Sequence, residues 1–232
     1  MQQEEYVIAN WYTVIMKSFP DFKFEIPIWE KGLPVLGIDE AGRGAFAGPL
    51  AVGGVVFDSK FANILLEMGI NDSKLLSAKK RESLYTEIKK YALFSHVEFV
   101  SLEIINEIGI GKATFLGMKR IVEKIVSQAR NDPSASLRAG NPLFALVDGF
   151  RVPGLAIGQQ QIIHGDSLSI SIASASILAK VERDKLMSGL ALEFPTYGFD
   201  AHKGYGTLFH RNALKKFGPS IHHRTKFISK YI

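Results

Sequence analysis

The spacing of apolar positions changes several times along the chain, and each change marks an expected element. Over residues 4–18, Val7, Trp11, Val14 and Ile15 fall on one stripe, which predicts a helix packed on the body. Pro20, Pro27 and Pro34 then break helix and central-strand patterns alike, so residues 19–34 are expected to be an irregular linker. Residues 35–40 form an apolar run ending in Asp39-Glu40 and predict a buried first strand. A second strand over 50–57 is its simplest hairpin or meander neighbour. Ser77 is placed to cap a helix running to about Lys90, with Leu84, Tyr85 and Ile88 on its apolar side. A third strand is expected over 91–100. After it, Ser101 opens a helical region that breaks near Gly109 and Gly111 and resumes over 113–128. Residues 131–141 are polar, turn-rich and without either period, the pattern of a surface insertion. Residues 143–147 and 161–164 predict a fourth and a fifth strand, followed by Asp148-Gly149 and Gly165-Asp166. A helix over 169–190, a loop carrying Tyr197 and Tyr205, a last helix over 208–217 and a basic tail complete the chain.

This order predicts an α/β fold with a mixed central sheet of about five strands flanked by helices. Residues 35–232 read as one domain, with residues 1–34 an extension packed on it. The 232 residues, 47% of them hydrophobic, suffice for one sizeable core. The 28 Lys and Arg against 23 Asp and Glu favour a polyanionic partner. Zero Cys excludes a disulfide framework, a thiolate nucleophile and Cys-based zinc sites, and fits a reducing compartment. Glu4 and Glu5 stand before any apolar run, unlike the start of a signal peptide. The longer uncharged stretches, 44–57 and 167–179 among them, are too short and too rich in Gly or Ser to span a bilayer. A cytoplasmic protein acting off the membrane is therefore expected.

The chemistry collects where apolar runs end. Asp39 and Glu40 are adjacent carboxylates, and in low dielectric such a pair repels by several kcal/mol, roughly, unless a proton or cation lies between them. Asp148 and Asp166 repeat the pattern. Four strand-end carboxylates, if they converge, suit two hard divalent cations that activate water and stabilise the leaving oxygen of a phosphodiester. Gly42 and Gly44 leave backbone N–H groups uncovered, and Arg43 offers a fork to phosphate. Lys74 and Lys203 lie in turns where a cation can reach phosphate, and Tyr197 and Tyr205 offer flat surfaces to a sugar or base, although Tyr197 equally fits a loop anchor. Asp184 is a rival fourth ligand, but Lys180 and Arg183 beside it favour ion pairing. His222 and His223 in the basic tail fit phosphate contact or solvation better than metal binding. No Ser-His-Asp arrangement is legible.

Taken together these residues resemble the ribonuclease HII family of bacterial type. The resemblance is carried by the run Gly37-Ile38-Asp39-Glu40-Ala41-Gly42-Arg43-Gly44 with Ala47-Gly48-Pro49, by Asn71-Asp72-Ser73-Lys74, and by Val147-Asp148-Gly149. It continues through Gly165-Asp166, the segment from Ala175 to Asp184, and His202-Lys203-Gly204-Tyr205-Gly206-Thr207. The resemblance implies a ribonuclease H-like fold, dependence on Mg2+ or Mn2+, cleavage of RNA in RNA–DNA hybrids, and incision 5′ to single ribonucleotides in duplex DNA; a monomer is expected. It also implies that Asp39, Glu40, Asp148 and Asp166 bind metal, that Gly42, Arg43 and Gly44 read the 2′-OH and adjacent phosphates, and that Tyr205 stacks at the RNA–DNA junction. Two departures stand out. Ala45-Phe46 replaces the usual Pro-Leu, and His164 replaces the Lys that commonly precedes Gly-Asp. Another metal nuclease of the same superfold, or a non-catalytic nucleic-acid binder, are the rival readings.

Overall fold

A computed structural model describes residues 19–131 and 143–232. The helix expected over 4–18 lies outside the described residues, as does the insertion expected over 131–141 apart from Asn131. The first described helix is one turn, Ile26–Trp29 (α1), with Pro27 in its first turn where a missing N–H costs nothing. The linker expected over 19–34 therefore has structure of its own. Its residue Glu25 is fully buried and accepts hydrogen bonds from the Ser169 hydroxyl at 2.6 Å and the Ser171 N–H at 3.1 Å.

Strands Val35–Ala41 (β1), Leu50–Phe57 (β2) and Ala92–Val100 (β3) form an antiparallel meander, with Leu36 opposite Val56 and Leu50 opposite Val100. Between β2 and β3 lie the helices Ala62–Glu67 (α2), which no sequence pattern marked, and Ala78–Tyr91 (α3), whose Ser77 cap accepts from the Lys80 N–H as expected. Ser101 likewise caps Leu102–Ile108 (α4), and after a break at Gly109 the chain continues as Ile110–Asn131 (α5). Phe144–Asp148 (β4) then joins β1 in parallel, and Gly158–Ile162 (β5) joins β4 in parallel, giving the sheet order β3-β2-β1-β4-β5. The fold class is as the sequence predicts. The fifth strand is not: it begins three residues earlier and ends at Ile162, because backbone pairing with β4 recruits the polar Gly158 to Gln161 that no hydrophobic period could mark.

Helix Ile170–Glu193 (α6), capped by Ser169, covers one face of the sheet and α5 the other. Its approach to the sheet is close. A Cβ on Gly37 of β1 would overlap the Ser171 backbone, and one on Gly53 of β2 would overlap the Ala175 carbonyl. Phe199–His202 (α7), Leu208–Phe217 (α8) and Thr225–Ile228 (α9) pack beyond the end of α6 around Met187, Tyr197 and Phe199. Among the described residues, no helix is long and apolar enough to cross a membrane.

Candidate active site

Two neighbouring parallel strands deliver the first three acids. Ile38 of β1 pairs with Val147 of β4, so Asp39 and Asp148 are the next residues on adjacent strands. Asp166 follows β5 in a single tight turn, Gly165–Ser167, and the Gly165 N–H donates to Asp148 Oδ1 at 2.7 Å, tying that turn to β4. Asp166 is not a helix cap, since Ser169 fills that role for α6. Asp39 and Asp166 are buried, at 4% and 5% exposure. Asp39 Oδ1 accepts the Glu40 N–H at 2.6 Å, and the Ser176 hydroxyl of α6, itself 3.0 Å from Ser73 Oγ, hydrogen-bonds to its carboxylate.

The electrostatics follow from this crowding. Burial holds the Asp39 carboxyl well above the usual carboxylate range, and the charges of Glu40 and Asp148 push it further. Burial raises Glu40 to about 7, with Arg43 opposing the shift and Asp148 adding to it. Asp148 is raised by burial and by Asp166. Two cations answer this charge. Lys74 Nζ donates to Asp166 Oδ2 at 3.0 Å, and Arg43 Nη1 stands 3.9 Å from Glu40 Oε1. Among the described residues no three acidic or histidine side chains form a ready-made cation cage. The donors are nonetheless all carboxylate oxygens, and Glu40 Oε2 is buried without a hydrogen-bond partner. A hard divalent cation suits that set. Asp184 takes no part: it pairs with Lys180 at 2.8 Å and with Arg81 at 3.9 Å.

Arg43 sits over the Phe150 ring, 4.2 Å from guanidinium carbon to centroid. Phe150 belongs to the nine-residue crossover between β4 and β5, far shorter than a helical crossover. The Gln159 side chain holds this loop by bonding the Val152 N–H and C=O at 2.8 and 2.9 Å. The stack thus joins the loop after Asp148 to the Gly-Arg-Gly turn. Phe150→Ala is expected to raise KM for a nucleic-acid substrate by about tenfold or less with kcat nearly unchanged, and Phe150→Tyr to behave as the wild type. Steady-state kinetics on the two variants checks both.

The other expected contacts divide. Tyr205 is partly exposed, backed by Lys180 and Arg183 at 5.7 and 5.4 Å from its ring centroid. Lys203 has a left-handed backbone, φ 51°, and its ammonium donates to Ser188 Oγ at 2.6 Å, away from the acids. Tyr197 is a loop anchor and not a stacking surface: it is buried on Phe199 and donates its hydroxyl to the Gly218 carbonyl. Of the two departures, Phe46 packs against Tyr231 and His210, and His164 is exposed in a left-handed turn.

His223 corrects the reading of a solvated tail. It is buried, and its Nε2 lies 2.9 Å from Nε2 of buried His210. The Ser220 N–H donates to His223 Nδ1, so His223 Nε2 carries the proton and donates to His210, whose Nδ1–H donates to the Tyr205 carbonyl. A second proton would set two N–H groups against each other. Burial depresses both imidazoles to about 4, His210 with help from His202 and His223 with help from His210. Their contribution to stability is therefore complete above about pH 6.5 and is lost as pH falls toward 4, whereas the raised acids Asp39, Glu40 and Asp148 act with the opposite sign. His223→Gln is expected to make stability fall less steeply with acidification, by about 1.4 kcal/mol per pH unit for each proton removed from the balance. Denaturant unfolding from pH 7 to 4.5 measures the slope, and equal slopes would contradict the assignment.

A mixed sheet of this order, with acids at the ends of its parallel strands and a long helix laid against it, is that of the ribonuclease H class of enzymes. The chain belongs to the ribonuclease HII family, whose model matches residues 36–230. The ribonuclease HII of Burkholderia mallei (strain SAVP1) is 45% identical over 208 residues, 90% of this chain and 87% of that one, and the Burkholderia thailandensis relative matches over the same extent. The ribonuclease HII of Archaeoglobus fulgidus, solved in complex with PCNA, superposes with a TM-score of 0.65 at 28% identity, covering 84% of this chain and 94% of that one. The ribonuclease H2 of Pyrococcus horikoshii shares the fold, with a TM-score of 0.62 at 24% identity over 86% and 99% of the two chains. The chain is accordingly a ribonuclease H, an endonuclease.

Proposed function

We propose that this ribonuclease H hydrolyses the RNA strand of RNA–DNA hybrids and incises 5′ to single ribonucleotides in duplex DNA, leaving 3′-OH and 5′-phosphate ends. One observation carries the reading: burial and the charges of neighbouring acids raise the pKa of the three strand-end carboxylates Asp39, Glu40 and Asp148, and Glu40 Oε2 is buried with no partner. Asp39, Glu40, Asp148 and Asp166 would hold Mg2+ or Mn2+. When bound, the cation supplies an activated water and charge stabilisation at the phosphate and the leaving oxygen. Ser176 and the Glu40 N–H orient Asp39, and the Gly165 N–H orients Asp148, so two acids are fixed before substrate arrives. Arg43, held over Phe150, faces the strand with Gly42 and Gly44, while Tyr205 offers a ring. Lys74 balances Asp166 and adds a phosphate contact at the edge of the acids, and Lys203 adds charge from the Ser188 side.

The test is cleavage by the wild type with Mg2+ of three labelled substrates: a hybrid, a DNA duplex holding one ribonucleotide, and a four-way DNA junction. The proposal expects cleavage of the first two and none without divalent cation. Preference for the junction would favour another nuclease of the superfold, and binding without turnover a non-catalytic role.

A further inference from the structure

Among the described residues, two arginines are the largest fully buried side chains. Arg183 of α6 and Arg224, just before α9, are both fully excluded from solvent, and none of the ion pairs among the described residues includes either. Burying a guanidinium is costly unless its donors are all engaged, and a carboxylate is the usual partner. Here backbone carbonyls do the work. Arg183 donates to Pro49 O at 3.0 Å, Ala47 O at 3.0 Å and Lys203 O at 2.8 Å. Arg224 donates twice to Gly48 O, at 3.0 and 2.8 Å, and to Arg43 O at 3.0 Å.

Every one of these carbonyls belongs to the segment that follows β1 or to the loop before α8. The two loops also bond directly, Phe46 N–H and Ala47 N–H to Gly204 O, and Arg224 N–H returns to Phe46 O. Arg183 further backs the Tyr205 ring and engages the carbonyl of Lys203, whose left-handed backbone is strained for a residue with a Cβ. Arg224 sets the direction of one peptide. In a planar trans peptide the C=O and N–H point opposite ways. The Arg43 carbonyl is drawn inward to Arg224, so the Gly44 N–H of the same peptide is turned outward. There it forms no hydrogen bond with any described residue, and the space beside Gly44 is open. A carbonyl that accepts from a cation also polarises its peptide and strengthens the N–H as a donor.

We propose that Arg183 and Arg224 are positioning residues for substrate discrimination: they fasten the Gly-Arg-Gly turn to the Tyr205 loop as one rigid reading surface and aim the Gly44 N–H at the bound strand. The inference rests on residues 42–44 and Tyr205 being the strand-reading face. A loop free to turn its peptides would bind phosphate by charge alone, which both hybrid and DNA offer; a fixed donor can require a 2′-OH beside it.

Lysine at either position keeps the charge but lacks the planar fork that reaches these carbonyls from separate nitrogens. In Arg224→Lys and Arg183→Lys the ratio of hybrid to DNA-duplex affinity, measured by fluorescence anisotropy, is expected to fall by about tenfold or more, with KM changing more than kcat. A purely structural role would lower the active fraction and leave that ratio unchanged, and an unchanged ratio in folded variants overturns the proposal. Amide resonances of the wild type provide a second arm that no folding defect can blunt. On adding a short hybrid, the Gly44 amide is expected to shift more than that of Ala45, which already bonds Gly42 O; an unmoved Gly44 amide overturns the proposal. A wild type with no preference for hybrid over DNA instead removes the functional reading, and this inference with it.

Discussion

Asp148→Asn is expected to lower the cleavage rate about a thousandfold or more while leaving hybrid affinity within about tenfold. Asparagine keeps the volume of the side chain and an oxygen that can still accept the Gly165 N–H, now bonded at 2.7 Å, so the turn bearing Asp166 stays tied to β4. What disappears is one negative charge from a cluster whose members already raise one another's pKa. The loss of a charged oxygen ligand removes several kcal/mol, roughly, of interaction with a divalent cation. Phosphate contacts from Arg43 and Lys74 do not pass through Asp148, so ground-state binding survives. Single-turnover cleavage and anisotropy on the same preparation separate the two quantities. A hundredfold loss of binding would mark Asp148 as a substrate contact.

Gly42→Ala is expected to be nearly as damaging by a different route. Gly42 has φ 90°, which strains any residue bearing a Cβ, and that Cβ would overlap the Arg183 guanidinium. Either the turn shifts or Arg183 leaves the carbonyls of Ala47, Pro49 and Lys203. A buried guanidinium without acceptors costs several kcal/mol, roughly, so both stability and cleavage should fall, the latter about a hundredfold. Gly44→Ala, two residues away in open space, should leave the unfolding midpoint nearly unchanged. Thermal unfolding of the pair tests the contrast directly.

Much of this was legible in the residues. The runs that become β1, β2 and β4 are apolar because both sheet faces are covered there, and Ser77 and Ser101 cap helices where the sequence places them. Polar interiors were not legible. Glu25 sits among prolines with no period, and its burial depends on Ser169 and Ser171, more than a hundred residues away. Arg183 read as a partner of nearby acids, since nothing in a helix sequence says that a guanidinium will find carbonyls of a distant loop. His223 lies in a charged tail, and only the meeting with His210 makes it interior. The edge strand β5 was displaced for the same reason: its partner is backbone, and backbone has no hydrophobic signature. The acids are legible because a carboxylate at the end of a buried strand is conspicuous in one dimension, although convergence is not.

The most direct measurement is the mapping of product ends from a DNA duplex containing one ribonucleotide, cut by the wild type with Mg2+. The account predicts a single incision on the 5′ side of the ribonucleotide, with 3′-OH and 5′-phosphate ends and no product from the all-DNA duplex. Incision elsewhere, equal cutting of plain DNA, or 2′,3′-cyclic phosphate ends formed without divalent cation would contradict it.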